Sequence, residues 1–571
     1  MRLELGNLDK MTGQKKPLRR AGHNRSRLML AGVILLIASV STPTSRAFSV
    51  TNPNQRLETT AANYLAARQA VYFRDIGASA AFYLNALNSD RDNANLLQQA
   101  FYTQFQLGHI DAAATLASEI ELQNLTIRFA REPATAQAVL QKDWDAVQVL
   151  ADSMAENLDA QPIAAVIKSW AFAAKGRGAA GLSHLMKIGK TTTASGQIMP
   201  AMYAIQAARL AEHIGDKAEM RLHAETLFAR RDLSSQAMLQ LASLYARNGE
   251  FDKMDQMINR LPLGFNHKLV RSQLISQQKP PTISSHIADG IIDASLIDRQ
   301  SQDGSALNAR LGLALYLDDA NDGARFLLAQ ALQEMEQPLA AIAKLDAIDE
   351  TSIWGQPSLL LRSDLERRND MAGAISQMKA AVAKDQENAH LQQELGNLYR
   401  MASQFDKARD AYLVAVDLGF VSGDLYRNLA ICYEQLEQDE LAETSFKAAL
   451  KENPDDPFTL NYLGYWWADD GRNLDEAIKL IEKAVRLRPR SGFFVDSLGW
   501  VHFKLRNYDL AVAFLEQATI LEPMDAVITG HLGDAYWEVV RHREARFKWQ
   551  YALSIATKDD LKAEFTAKLN P

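Results

Sequence analysis

Seven alanines in the C-terminal half of this chain fall at an almost constant interval. Ala340, Ala374, Ala408, Ala442, Ala477, Ala511 and Ala545 are separated by 34, 34, 34, 35, 34 and 34 residues, the one extra residue sitting in the turn Gly471–Asp475. Three of them open the same triplet of small, large and small: Ala477–Ile481–Ala484, Ala511–Leu515–Ala518 and Ala545–Trp549–Ala552. Ahead of these run three matching stretches, LNYLGYWW, VDSLGWVHF and TGHLGDAYW. A leucine followed by a small residue recurs in five consecutive copies: Leu395-Gly396, Leu429-Ala430, Leu463-Gly464, Leu498-Gly499 and Leu532-Gly533. A fixed period of this length dictates a solenoid, because two helices of about a dozen residues cannot bury a full apolar face alone and must stack on the next pair. The small residue lets two backbones approach, and the large one fills the gap between repeats. Pro454, Pro489 and Pro523 close three copies by stopping the second helix.

The rest of the chain reads as all-α. Residues 57–276 are rich in Ala and Leu with helical periodicity. Turns are expected at Asp75–Gly77, Gly108, Gly215 and Gly249, glycine supplying the left-handed conformation between antiparallel helices. The triplets are incomplete there and Leu185–Ala201 interrupts them, so this is a degenerate helical-repeat half. Pro280-Pro281 marks a joint over 277–284, after which a repeat array is expected over 285–557 and a polar, amphipathic capping helix over 558–571.

The period, the small-residue position, the Ala–large–Ala triplet and the closing prolines together resemble the tetratricopeptide repeat. The match is strong over 324–557 and suggestive over 57–276. The series of motifs is also similar to exported tetratricopeptide-repeat proteins of Gram-negative bacteria. The resemblance implies antiparallel helix pairs stacked into a right-handed superhelix, whose concave surface, lined by first helices, holds peptides or partner helices. It implies scaffolding, and such arrays also occur in envelope machinery for polysaccharide export and outer-membrane assembly.

The N-terminus reads as an address. A basic stretch to Arg27, the apolar run Leu28–Val40 of 13 residues and the small-residue segment Ser41–Ala47 have the layout of a secretory signal, with cleavage expected between Ala47 and Phe48. The run is shorter than the ~20 residues that span a bilayer, which favours cleavage over an uncleaved inner-membrane anchor. Residues beyond 48 are expected outside the cytoplasm, in the periplasm or cell envelope. Residues 1–47 hold nine Lys/Arg and two acids, so the remaining body carries 53 basic and 67 acidic residues. That acidic balance argues against nucleic acid as a partner. Protein or peptide partners are expected, with membrane contact only through the N-terminal segment or a membrane-complex partner. Cys432 is the only cysteine, which excludes a disulfide framework and fits a small buried packing residue. No phosphate-binding loop, nucleophile elbow or metal-ligand spacing occurs, so neither catalysis nor a cofactor nor a metal is expected. An enzyme site in the N-terminal half is the least favoured alternative.

A candidate binding stripe lies three before, one after and four after each small residue, on one face of each first helix. It reads Gln393, Asn397, Arg400; Arg427, Ile431, Glu434; Asn461, Tyr465, Ala468; Asp496, Trp500, Phe503; Gly530, Asp534, Trp537. Asn397, Arg400, Arg427, Asn461, Tyr465, Asp496, Trp500, Asp534 and Trp537 are the candidate peptide-binding residues, since aromatic rings supply contact area and Asn or Asp can bond a peptide backbone. Two readings stand side by side: an open groove, or aromatics packed between helices with solvated charges. His531 and His502 lie one repeat apart, and a surface or hydrogen-bonded His is favoured there over a metal ligand.

Overall fold

The computed structural model describes residues 59–570, apart from positions 124, 126, 192–199, 278 and 298–303. The signal segment 1–47 and its cleavage point lie outside the described residues. Among them are thirty helices and no strand. None is long and apolar enough to cross a membrane. The chain divides into two compact units between Ala374 and Ile375, inside helix Met371–Lys384.

The N-terminal unit begins with six antiparallel pairs: Thr60–Tyr72 with Ile76–Ser89, Ala94–Gln106 with Ile110–Leu122, Arg131–Gln141 with Trp144–Met154, Gln161–Ala174 with Gly178–Thr191, Ala201–His213 with Lys217–Phe228, and Ser235–Arg247 with Phe251–Ile258. The side chains of Asp75, Asn93, Asp143, Asp216 and Ser234 cap helices here by accepting from free N–H groups. Within each pair the backbone turns through one left-handed residue. These are Arg74, Gly108, Lys142 and Gly176 at intervals of 34 residues, then Gly215 and Gly249, again 34 apart. The half whose side chains look degenerate therefore keeps the repeat period in its backbone. Arg74, at φ 60°, makes the first turn, while Gly77 lies inside the next helix.

Helices Ile283–Ile297 and Gly304–Leu317 do not continue this stack. They pair with each other and lie across the first helices of the earlier pairs: Ile283–Ile297 on Gln161–Ala174 and Ala201–His213, Gly304–Leu317 on Ala94–Gln106 and Arg131–Gln141. Ile287, Ile291, Ile292, Leu311 and Leu313 are completely buried there. Close approach needs glycine at 312, where a Cβ would come 2.9 Å from the Cα of Gly108. The boundary expected at 277–284 is thus not where the chain divides. The two helices after Pro280-Pro281 are core of the unit before it, held by burial, so the stretch from 285 does not open an array. The alanine register also begins differently: Ala341 takes the buried position in Pro338–Leu345, and Ala340 is only half-buried.

The C-terminal unit stacks four complete pairs after Met371–Lys384: Ala389–Met401 with Phe405–Asp417, Gly423–Gln435 with Asp439–Glu452, Pro457–Asp469 with Leu474–Leu487, and Gly492–Lys504 with Tyr508–Leu521. A fifth, Ala526–Glu538 with His542–Ile555, is closed by Asp559–Leu569, which packs on it as a further first helix would. Left-handed residues Ser403, Glu437, Gly471, Arg506 and Val540 turn the five pairs. The small residue of each first helix meets the large residue of its own second helix: a Cβ would come 2.6 Å from Tyr412 at Gly396, 2.6 Å from Leu515 at Gly499 and 2.5 Å from Trp549 at Gly533. The same large residues also reach the next repeat, as Phe446 does in stacking on Tyr462 at 5.1 Å.

Candidate functional site

The first helices of the C-terminal unit touch one another in sequence, which puts their small residues and the candidate stripe on one inner row. At the row's beginning the polar residues are occupied by structure. Asn397 Oδ1 accepts from the Tyr412 hydroxyl at 2.8 Å and from Asn428 Nδ2 at 3.1 Å, tying one repeat to the next. Arg427 donates to Asp456 at 2.6 Å and lies 2.8 Å from Asp424. Asp456 caps helix Pro457–Asp469. Burial pushes its carboxyl up, but hydrogen bonds from Thr459 and the Arg427 charge outweigh this and hold it below the usual range. Arg400 is half-buried with Nε unpartnered. Its charge opposes the burial that pushes the buried Cys432 thiol up to about 12, which leaves no thiolate at neutral pH.

Further along, the row turns inward. Tyr465 is 6% exposed and Trp500 9%, whereas Trp537 is 37% exposed. Trp500 stacks on Phe503 at 4.8 Å and on His531 at 4.0 Å, and its Nε1 donates to Asp469 at 3.2 Å. Lys504 lies over the same ring at 5.0 Å and 3.4 Å from Asp469. Asp496 holds His531 Nδ1 at 2.9 Å. Burial alone would lower the His531 value, but the Asp496 charge and hydrogen bond reverse this and raise it. Asp534 accepts from Trp549 Nε1 at 2.9 Å and Lys568 Nζ at 2.8 Å. Asn461 is half-buried, with Oδ1 unpartnered. Tyr465 and Trp500 therefore pack between helices, while Trp537, against His542 at 4.3 Å, presents a ring to solvent. His502 stacks on Phe514 at 5.4 Å and does not join His531. Among the described residues no three His, Cys, Asp or Glu side chains form a group that could hold a metal.

A tetratricopeptide-repeat family model matches residues 423–456 and 496–523, two of the helix-pair repeats just described. Those two stretches are tetratricopeptide repeats. Among solved structures it is similar to the Cut9–Hcn1 hetero-tetramer of the APC/C (16% identity, 90% of this chain and 97% of that one, TM-score 0.38). It is also similar to yeast Tom70 (14%, 90% and 95%, TM-score 0.30) and to YrrB, described as a tetratricopeptide-repeat protein with an unusual peptide-binding site (20%, 37% and 92%, TM-score 0.23). No curated protein matches the sequence.

The chain also holds a buried polar network in its N-terminal unit that no periodic signal marks. Asp289, from Ile283–Ile297, accepts from Arg209 at 2.7 Å, Gln236 at 3.2 Å and Asn321 at 3.0 Å. One turn on, Asp293 accepts from Gln206 at 3.0 Å and Gln240 at 3.2 Å. Those amides are oriented in turn by Trp170 Nε1 on Gln206 and Arg209 on Gln240, each at 3.0 Å. His286 stacks on Trp170 at 4.1 Å. In the C-terminal stripe, Asp469 and Lys504 went unread because the spacing rule samples three positions of each helix and both lie one position past the last; His531 is hydrogen-bonded, to Asp496.

Proposed function

We propose that this protein is a non-catalytic interaction scaffold whose partner site is the inner row of the C-terminal unit, where it takes an extended peptide or a helix of another protein. The carrying observation is the unequal state of the two inner rows. In the N-terminal unit, helices Ile283–Ile297 and Gly304–Leu317 already cover the first helices. In the C-terminal unit the helix after the last pair, Asp559–Leu569, packs on Ala526–Glu538 and His542–Ile555 at the row's end and leaves the ring of Trp537 37% exposed. An exposed aromatic ring gives a bound peptide contact area at low entropic cost. Photocrosslinking amino acids at positions 461 and 537, with 520 on a second helix as the comparison, test this in intact cells. Adducts at 461 and 537 alone are expected. Adducts at 520 alone refute the inner row and favour a second reading, a subunit docked to an envelope machine through its outer face, where Ile520 is 78% and Phe547 66% exposed.

We further propose that the chain is exported and works in the periplasm or cell envelope. Support comes from the basic, apolar and small-residue order of residues 1–47. Sequencing the mature N-terminus is expected to read from Phe48; a chain retaining residues 1–47 in the cytosolic fraction refutes export.

A further inference from the structure

Helix Ile283–Ile297 brings two carboxylates, one turn apart, into the interior of the N-terminal unit, and only one of them has a cation. Arg209 is 3% exposed and ion-pairs Asp289 at 2.7 Å. Asp293 is 6% exposed and touches only the neutral amides of Gln206 and Gln240. Other charges nearby do not complete it. Arg247 is held by Glu212 at 2.7 Å, and the buried His286, lowered by burial and by Arg209, Arg247 and His213, stays neutral. Asp318, after Gly304–Leu317, adds a further carboxyl near Asp289, raised chiefly by burial. Two carboxylates against one guanidinium leave one net negative charge, and on the buried Asp293 such a charge is relieved by taking a proton. The two amides oppose this, because Trp170 and Arg209 aim both NH₂ groups at Asp293.

We infer that the seating of helix Ile283–Ile297 against the first helices of the N-terminal unit is coupled to one proton on Asp293, which makes this contact a pH-sensitive latch. Burial and the neighbouring Asp289 push that carboxyl up to about 7, against the Gln206 hydrogen bond, the Arg209 charge and the Gln240 hydrogen bond. The sign follows from linkage. A carboxyl whose seated value lies above its unseated one, near 4, contributes stability that is complete below pH 4 and is lost as pH rises through 7. The helix does not leave altogether, since Ile287, Ile291 and Ile292 are completely buried; the response is a local opening.

The test is amide hydrogen exchange of helix 283–297 in the full chain between pH 5 and 8, corrected for intrinsic rates. The opening constant is expected to rise about tenfold per pH unit up to about pH 7 and then level off. Asp293→Asn is expected to remove that rise. Asp289→Asn, which deletes the neighbouring negative charge, is expected to move the plateau at least one pH unit lower. Should Asp293→Asn fail to fold, infrared spectra of the unaltered protein still decide, because a protonated-carboxyl band lost near pH 7 and shifted by Asp289→Asn is expected. An opening constant flat in pH, or a slope shared by Asp293→Asn, overturns the latch, as does the absence of that band at pH 6.

Discussion

Arg310→Ala is expected to destabilise the N-terminal unit by about 3–5 kcal/mol, the cost of leaving a buried charge without its partner. Arg310 and Glu132 are each 1% exposed, and the guanidinium donates to Glu132 at 3.0 Å and to the Asp159 carbonyl at 3.0 Å. It also lies 5.0 Å from the Phe129 ring. Alanine removes the cation and opens a cavity around it, while Glu132 stays where water cannot reach. Glu132→Ala is expected to fall in the same range for the mirror reason. The double replacement Arg310→Met with Glu132→Leu is expected to recover most of the loss, because two apolar groups of similar volume need no partner. Urea unfolding followed by hydrogen exchange within 59–374 resolves the unit concerned. A single-replacement loss below about 1 kcal/mol, the range of a solvated pair, sinks the account.

Gly464→Val is expected to cost the C-terminal unit about 3 kcal/mol, at the upper end of what overpacking costs in a well-packed core. A Cβ at this position would come 2.7 Å from Ile481 Cγ1 and 2.9 Å from the Ala477 carbonyl oxygen. Ile481 can rotate away; the carbonyl belongs to helix Leu474–Leu487 and cannot move without shifting the helix. Gly464→Ala with Ile481→Ala is therefore expected to recover only part of the loss of Gly464→Ala alone. Full recovery in chemical denaturation of the C-terminal unit contradicts the backbone contact. Because Gly464 lies beside Tyr465 and Asn461, crosslinking at 461 is expected to weaken in the same variant while the N-terminal unit keeps its midpoint.

Gly464, Ala477 and their counterparts were legible in the sequence because one steric demand recurs in every repeat and admits few residue types. Where the demand is conformational instead, the text is looser. Arg74 and Lys142 occupy the same left-handed turn as Gly108 and Gly176, and nothing in an arginine or a lysine announces it. The crossing of helices 283–297 and 304–317 was illegible for another reason. Their apolar periodicity says that they are buried, not against what, and their hydrogen-bonded partners in the earlier pairs lie 53 to 205 residues back. In the stripe, the spacing names positions on one face of each first helix, but exposure depends on how neighbouring first helices converge. Trp500 is closed over by His531 from the following repeat, whereas Trp537 is not closed over to that extent.

Those crossing helices also set an order for biosynthesis. A repeat solenoid is ordinarily built from neighbours, each pair resting on the one before as the chain emerges. Here the six pairs up to Ile258 can form early, but their inner face stays unsatisfied until residues 283–317 have been made. Contacts such as Arg310 with Glu132 and Arg209 with Asp289 span 178 and 80 residues. Closing loops of that length is slow compared with helix pairing, so folding of the N-terminal unit has a late, non-local step. During that interval the nascent chain carries an apolar seam, the kind of surface that recruits chaperones or aggregates. A fragment ending at 276 is for the same reason an incomplete body with its seam open.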